Sequence, residues 1–398
     1  MKIFFAIMLA MFFVFLASCG GGSENPPSMQ TPAPPLAPVY HPATYALEEM
    51  GARYAHSRGF RGEGVTILVN YEHSVRNTHR DLSPNIITLA PGGNVWDISD
   101  DARHGTGSAG LMVAVAPSVR LLFPAAGNAG NAYRNARSSG AQIIMSNGEA
   151  GTFGTGLQQT APLAEIRVNR LVMERATEYS DALGDSDIVQ VNPTFNDGYN
   201  SVQGMINAPK FEGAYPHIRS DLADNWLMAT ALNRNTVIAN YLGSQGANGC
   251  GYARMWCVAA FGDRAGHRTT DSDSDTDYTN FYSGTSAAAP HVAGALAVLK
   301  SAAPPGMPMT MIRAILLDTA TDLTPDDGQR QDAVYGWGLV NISAGIVSIA
   351  NMETAGGTLL RDLRGRLPAE FSHLRGRMDS VSVAVKITED SFYNLALG

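Results

Sequence analysis

Along the chain, short apolar runs alternate with stretches in which apolar residues return every three or four positions, and this predicts strands and helices in turn. Val65-Thr66-Ile67-Leu68-Val69 reads as a strand. A short helix within 45–59, with Leu47, Met50 and Tyr54 at helical spacing, and the turn Gly62-Glu63-Gly64 lead into it. Further strands are predicted over 119–123, 141–145, 187–191, 226–232 and 256–260. Helices are predicted over 131–139, 163–183, 286–301 and 311–320, the third of them Ala-rich and strongly apolar. Strands alternating with helices point to an α/β fold with a parallel sheet and crossover helices. The pattern weakens from 356 to 398, where Arg361-Asp362-Leu363-Arg364-Gly365-Arg366 reads as exposed. No internal repeat is found.

The chain start departs from this alternation. Met1-Lys2 precedes an apolar run from Ile3 to Ala17, and small residues follow at Ser18-Cys19-Gly20, the pattern of a signal peptide over 1–18. The run is shorter than the roughly 20 residues that span a bilayer as a helix. Leu16-Ala17-Ser18-Cys19 resembles the bacterial lipobox. The resemblance implies lipid and palmitate on Cys19, a membrane anchor at the cell envelope and, with Gly20 rather than Asp next, the outer membrane of a Gram-negative bacterium. Residues 19–43 are rich in Gly, Ser and Pro and read as an extended tether. One large domain is expected over 44–350, and 351–398 form an extension of unknown role.

Composition narrows the partners. Of 398 residues 45% are hydrophobic and 16% charged, an ordinary globular balance. The net charge of -8 and the lack of a basic run give no reason to expect nucleic acid. Besides Cys19 there are only Cys250 and Cys257. In an exported protein a bridge between them is expected, two buried free thiols being the alternative. They lack further partners at metal-ligand spacing. The run Asp271-Ser272-Asp273-Ser274-Asp275-Thr276-Asp277 offers oxygen ligands for Ca2+ or forms a solvated loop, and it lacks the Gly and Glu of an EF-hand.

Gly284-Thr285-Ser286 stands at the entry to the Ala-rich helix. A serine there gains the helix dipole and free backbone N–H groups, which suit a developing oxyanion. Taken alone, Ser286 would equally serve as a helix cap. The longer run Gly284-Thr285-Ser286-Ala287-Ala288-Ala289-Pro290-His291-Val292-Ala293-Gly294 resembles the serine motif of the subtilases, the subtilisin-like serine proteases. His104-Gly105-Thr106-Gly107-Ser108-Ala109-Gly110 resembles their histidine motif. The likeness runs from about Tyr45 to Ile346. Cys250-Gly251-Tyr252-Ala253-Arg254-Met255-Trp256-Cys257 and Tyr335-Gly336-Trp337-Gly338 resemble the branch found as passengers of Gram-negative autotransporters. The roughly 50 residues after Ile346 are too few for a β-barrel, so a free-standing version is expected.

The resemblance implies a three-layer fold, with a central, mostly parallel sheet and helices on both faces. It also implies a serine endopeptidase acting through an acyl-enzyme on polypeptides, monomeric and without a cofactor. Ser286 would be the nucleophile, His104 the base, and Ser146-Asn147-Gly148 the edge that pairs with an extended substrate. Asn196 is the expected oxyanion donor, ahead of Asn128 and Asn248 by its place in the chain. Pro193, Thr194 and Phe195 stand where smaller residues are usual, so the neighbouring pocket is expected to be reshaped. His73, His79 and His291 are expected to be structural.

The third triad member departs from the family, which carries Asp-Ser/Thr-Gly after the first strand. Here the chain reads Val69-Asn70-Tyr71-Glu72-His73. Counting back from His79-Arg80-Asp81-Leu82 selects Glu72, and counting forward from Gly64-Val65 selects Tyr71. Glu72 still offers a carboxylate to orient the imidazole and is the expected member. Tyr71 would leave a weakly active enzyme, or a peptide-binding protein on the same scaffold.

Overall fold

Aliphatic and β-branched residues fill the strands, and parallel strands joined by helices must be covered on both faces. The computed structural model describes residues 45–70, 75–82, 87–89, 100–124, 132–147, 161–196, 199–200, 205–206, 211–235, 246–263, 275–278, 282–324 and 328–354. Its strands are β1 (Thr66–Asn70), β2 (Ile87–Leu89), β3 (Arg120–Phe123), β4 (Ile143–Ser146), β5 (Val189–Pro193), the short pair β6 (Tyr199–Asn200) and β7 (Met205–Ile206), β8 (Trp226–Leu232) and β9 (Cys257–Phe261). The helices are α1 (Tyr45–Glu49), α2 (Ala52–Ser57), α3 (Asp100–Val115), α4 (Ala136–Ser139), α5 (Leu163–Ile166), α6 (Arg170–Leu183), α7 (Tyr215–Ile218), α8 (Thr285–Ala302), α9 (Met309–Asp318) and α10 (Ile342–Thr354).

Among the described residues seven strands form one sheet in the order β2-β3-β1-β4-β5-β8-β9, with every pairing parallel. Alternate strand residues divide between two cores. Ile67, Val69, Leu121, Ile143, Met145, Val189, Val191, Leu227 and Ala229 pack with residues of α3, α8, α9 and α10. Leu68, Leu122, Ile144, Trp226 and Met228 face the other way, onto α4, α6 and α7. There Tyr133 stacks on Tyr179 with centroids 3.9 Å apart, and Trp226 meets Tyr179 edge-on. The fold is thus α/β, three layers deep.

Helix α8 is buried along almost its whole length. Fully buried Val292, Leu296, Val298 and Leu299 each contribute roughly 1.5–3 kcal/mol of transfer free energy. No helix among the described residues is long and apolar enough to cross a membrane.

Several expected elements change length. The predicted helix over 163–183 is two helices, because Asn169 restarts the chain by accepting hydrogen bonds from the N–H groups of Leu171 and Val172. Of the helix expected over 131–139, only Ala136–Ser139 is α-helical among the described residues 132–139. Helix α3 was not foreseen, since its Gly and Ser residues are poor helix formers and tertiary packing on α8 overrides them.

The far edge of the sheet is closed by the last part of the domain. Trp337 N–H donates to Cys257 O, Ala259 N–H to Gly338 O and Val340 N–H to Ala259 O, so 337–340 runs beside β9 and covers its exposed groups. Cys250 and Cys257 are joined by a disulfide with Cα atoms 5.7 Å apart, which closes the turn entering β9. Arg330 lies over the Trp337 ring and donates to the carbonyls of Asp318, Ala320 and Trp337, capping the C-terminus of α9.

Asp318 sits at that same helix end, and burial pushes its carboxyl up to about 6 despite the nearby Arg330 guanidinium. A folded-state value raised above the unfolded one favours folding below the ordinary carboxylate range, and that contribution is lost as pH rises through about 6. Asp318→Asn is therefore expected to raise stability at pH 7.5. Urea unfolding should show the gain shrinking towards pH 4, and an equal gain at both pH values would refute the assignment.

Candidate active site

Ser286 is the second residue of α8 and is partly exposed, whereas the residues after it in the first turns are buried. The chain enters the helix through Gly284 at φ 92° and ψ −167°, a conformation that strongly favours glycine. Gly284 also donates its N–H to Gly262 O, which ties the entry to the end of β9.

Asn196 lies three residues past the end of β5. Its Oδ1 accepts from Thr285 N–H at 3.0 Å and from Thr285 Oγ1 at 3.1 Å. An N–H can donate only to the oxygen end of the amide, so the Asn196 NH2 faces away from Thr285. The Asn196 side chain is thereby tied to the start of the helix that carries Ser286.

The approach to Asn196 is strained and braced. Phe195 is the only non-glycine residue at positive φ among those described, at 73°, and its side chain is buried. Holding such a residue there costs on the order of 1–3 kcal/mol unless its surroundings fix it. Fully buried Asn248 supplies the brace: its N–H donates to Phe195 O at 2.8 Å, and its Nδ2 to Thr194 O at 2.9 Å. In return Thr194 and Thr230 each donate a hydroxyl to Asn248 O at 2.7 Å. The sequence places Asn248 among the rival oxyanion donors; its side chain instead supports the strand end that presents Asn196.

His104 is the fifth residue of α3, partly exposed, with its ring edge-on to Tyr282 at a centroid distance of 5.1 Å. Ser108, one turn later, donates to His104 O at 3.1 Å. Asn147 joins the two helices, since its Nδ2 donates to Ser108 Oγ at 2.7 Å and to Ser286 O at 3.0 Å. Its side chain therefore points inward, not towards an incoming ligand. Ser146 is buried at the end of β4 opposite Asn70, whose amide reaches its hydroxyl at 3.5 Å.

Glu72, Tyr71, His73, Gly148, Asn128 and Cys19 lie outside the described residues. So does most of the acidic run, 271–274. Its remainder serves as a dock: Asp275 Oδ1 accepts from Thr78 and Arg76, and Asp277 O accepts from His79 Nε2. Among the described residues no group of His, Cys, Asp or Glu could hold a metal ion. His79 Nδ1 accepts from Asp81 N–H, and burial keeps the ring below its ordinary pKa. His291 is buried and bonds Phe261 O through Nδ1. Both rings are thereby committed to holding backbone.

Truncating the brace at Asn248 leaves the buried Thr194 carbonyl without its amide donor. Asn248→Ala should cost about 1–3 kcal/mol, read as a lower urea midpoint. An unchanged midpoint would remove Asn248 from this role.

The chain is 37% identical over 134 residues to serotype-specific antigen 1 of Mannheimia haemolytica, a match covering 33% of this chain and 13% of that protein. It is 24% identical to an extracellular serine protease of Serratia marcescens, covering 75% of this chain and 33% of the relative. The matched part is thus a third or less of each relative's length. The fold is shared with the prenylagaramide maturation protease PagA, at a TM-score of 0.52, 18% identity and coverage of 75% of this chain and 97% of that one. A lanthipeptide protease matches at a TM-score of 0.54 and 19% identity, over 76% of this chain and 93% of that one. The model of the subtilase family matches residues 64–338, most of the chain and all the described site residues named above, and the chain belongs to that family.

Proposed function

We propose that the protein is a serine endopeptidase. The observation that carries this reading is the meeting of three groups at the start of α8: Ser286 itself, the Asn196 amide held by Thr285, and the helix of His104 tied in through Asn147.

In this reading Ser286 Oγ attacks the scissile carbonyl carbon while His104 takes its proton. The new oxyanion is held by the Ser286 N–H and Asn196 Nδ2. His104 then protonates the leaving amine, and water, activated by the same imidazole, releases the acyl group from Ser286. Glu72 orients His104 and stabilises the imidazolium. An extended polypeptide pairs with the backbone of Ser146, Asn147 and Gly148. The enzyme acts as a monomer without a cofactor.

The departure at Tyr71-Glu72, with Phe195 before the oxyanion donor, favours one alternative: a peptide-binding protein with impaired turnover. Labelling with a fluorophosphonate separates the two. Wild type should label and Ser286→Ala should not, while Glu72→Gln should slow labelling by about a thousandfold or more. Folded wild type that does not label would sink the peptidase reading; equal labelling of Glu72→Gln would remove that residue from the triad.

We further propose export and lipidation at Cys19, with an anchor in the outer membrane. The signal-like start and the lipobox-like Leu16-Ala17-Ser18-Cys19 support this. Expression in a Gram-negative host with labelled palmitate should mark wild type and leave Cys19→Ala unlabelled. Label in neither protein would overturn the anchor.

A further inference from the structure

Helix α8 contains a gap that its own sequence creates. Pro290 lies four residues after Ser286 and has no N–H, so the Ser286 carbonyl loses the partner a helix ordinarily supplies. In a buried first turn such an acceptor needs another donor. Asn147 Nδ2 provides it at 3.0 Å.

The same nitrogen shares its two hydrogens with two further acceptors, Ser108 Oγ at 2.7 Å and Tyr282 Oη at 3.2 Å. Ser108 uses its single proton on His104 O. The 2.6 Å contact between Ser108 and Tyr282 is therefore donated by the tyrosine hydroxyl. Five polar groups thus close a small network between α3, the end of β4 and the start of α8.

Apolar packing fixes the ring of Tyr282 in place. It clusters with Leu111 of α3 and Ala287 of α8. It also lies against Gly107, where an added Cβ would stand 2.5 Å from the ring, so the glycine is required by this approach. From there the ring meets the imidazole of His104 edge-on.

We propose that Asn147, Ser108 and Tyr282 form a positioning latch that sets the His104 imidazole against Ser286. Asn147 holds the nucleophile's backbone through the carbonyl that Pro290 leaves open, and Tyr282 holds the base's ring. These are positioning residues, acting through Ser286 and His104. The inference rests on the peptidase reading, and the following test keeps the two apart.

The rate of fluorophosphonate labelling of the full mature chain, resolved into a binding constant and a maximal rate, would be compared for wild type, Asn147→Leu, Tyr282→Phe and the double variant. The maximal rate should fall by about a hundredfold in Asn147→Leu and about tenfold in Tyr282→Phe, with binding little changed. The double variant should be no slower than Asn147→Leu, because both changes open one network. Tyr282→Phe removes a single oxygen and carries the test if Asn147→Leu does not fold. In parallel, NMR titration of the His104 ring should show a midpoint moved from wild type in each folded variant. Unchanged maximal rates, losses confined to binding, multiplicative losses in the double variant, or an unmoved His104 midpoint would each overturn the latch. Wild type that fails to label overturns the peptidase reading, and the His104 titration then decides the latch alone.

Discussion

Burial of α8 is the constraint on which the rest of the structure depends. A helix surrounded by protein cannot leave its first N–H groups or its proline-orphaned carbonyl to water, so partners must be built around its start. Asn147 answers the carbonyl, while Thr285 turns its own N–H and hydroxyl on the Asn196 side chain. Satisfying the helix end and drawing Asn147 and Asn196 up to Ser286 are here the same act. Ser286 stays partly open while its helix neighbours Thr285 and Ala287 are buried.

The bracing behind Asn196 follows the same logic at the next strand. A bulky residue at φ 73° persists at Phe195 because Asn248 bonds the backbone on both sides of its peptide group, with two threonines fixing Asn248 in turn. Strain at one residue is thus matched by polar closure at its neighbour.

Much of the fold was legible because its signals are local. Apolar runs marked β1, β3, β4, β5, β8 and β9 within about two residues, and the Ala-rich pattern marked α8 almost to its ends. Helix α3 was hidden because Gly105, Gly107 and Ser108 argue against a helix, and the packing that overrides them comes from residues far along the chain. Motifs singled out Ser286 and His104, and order along the chain singled out Asn196. The roles of Asn147, Tyr282 and Asn248 were not legible, since each depends on which way a side chain turns across a contact between distant segments. The break at Asn169 falls between: an Asn before an amphipathic run is a capping signal that periodicity alone passes over.

The strip from Trp337 to Val340 also sets an order of events. It completes the edge of β9 only after some eighty residues of further chain, and just beyond it Ile342 N–H bonds Met50 O, joining α10 to the turn after α1. Contacts between such remote segments form slowly, because the loop they close must be drawn together first. These particular contacts cannot close until α10 has emerged from synthesis, so the two ends of the domain are joined late.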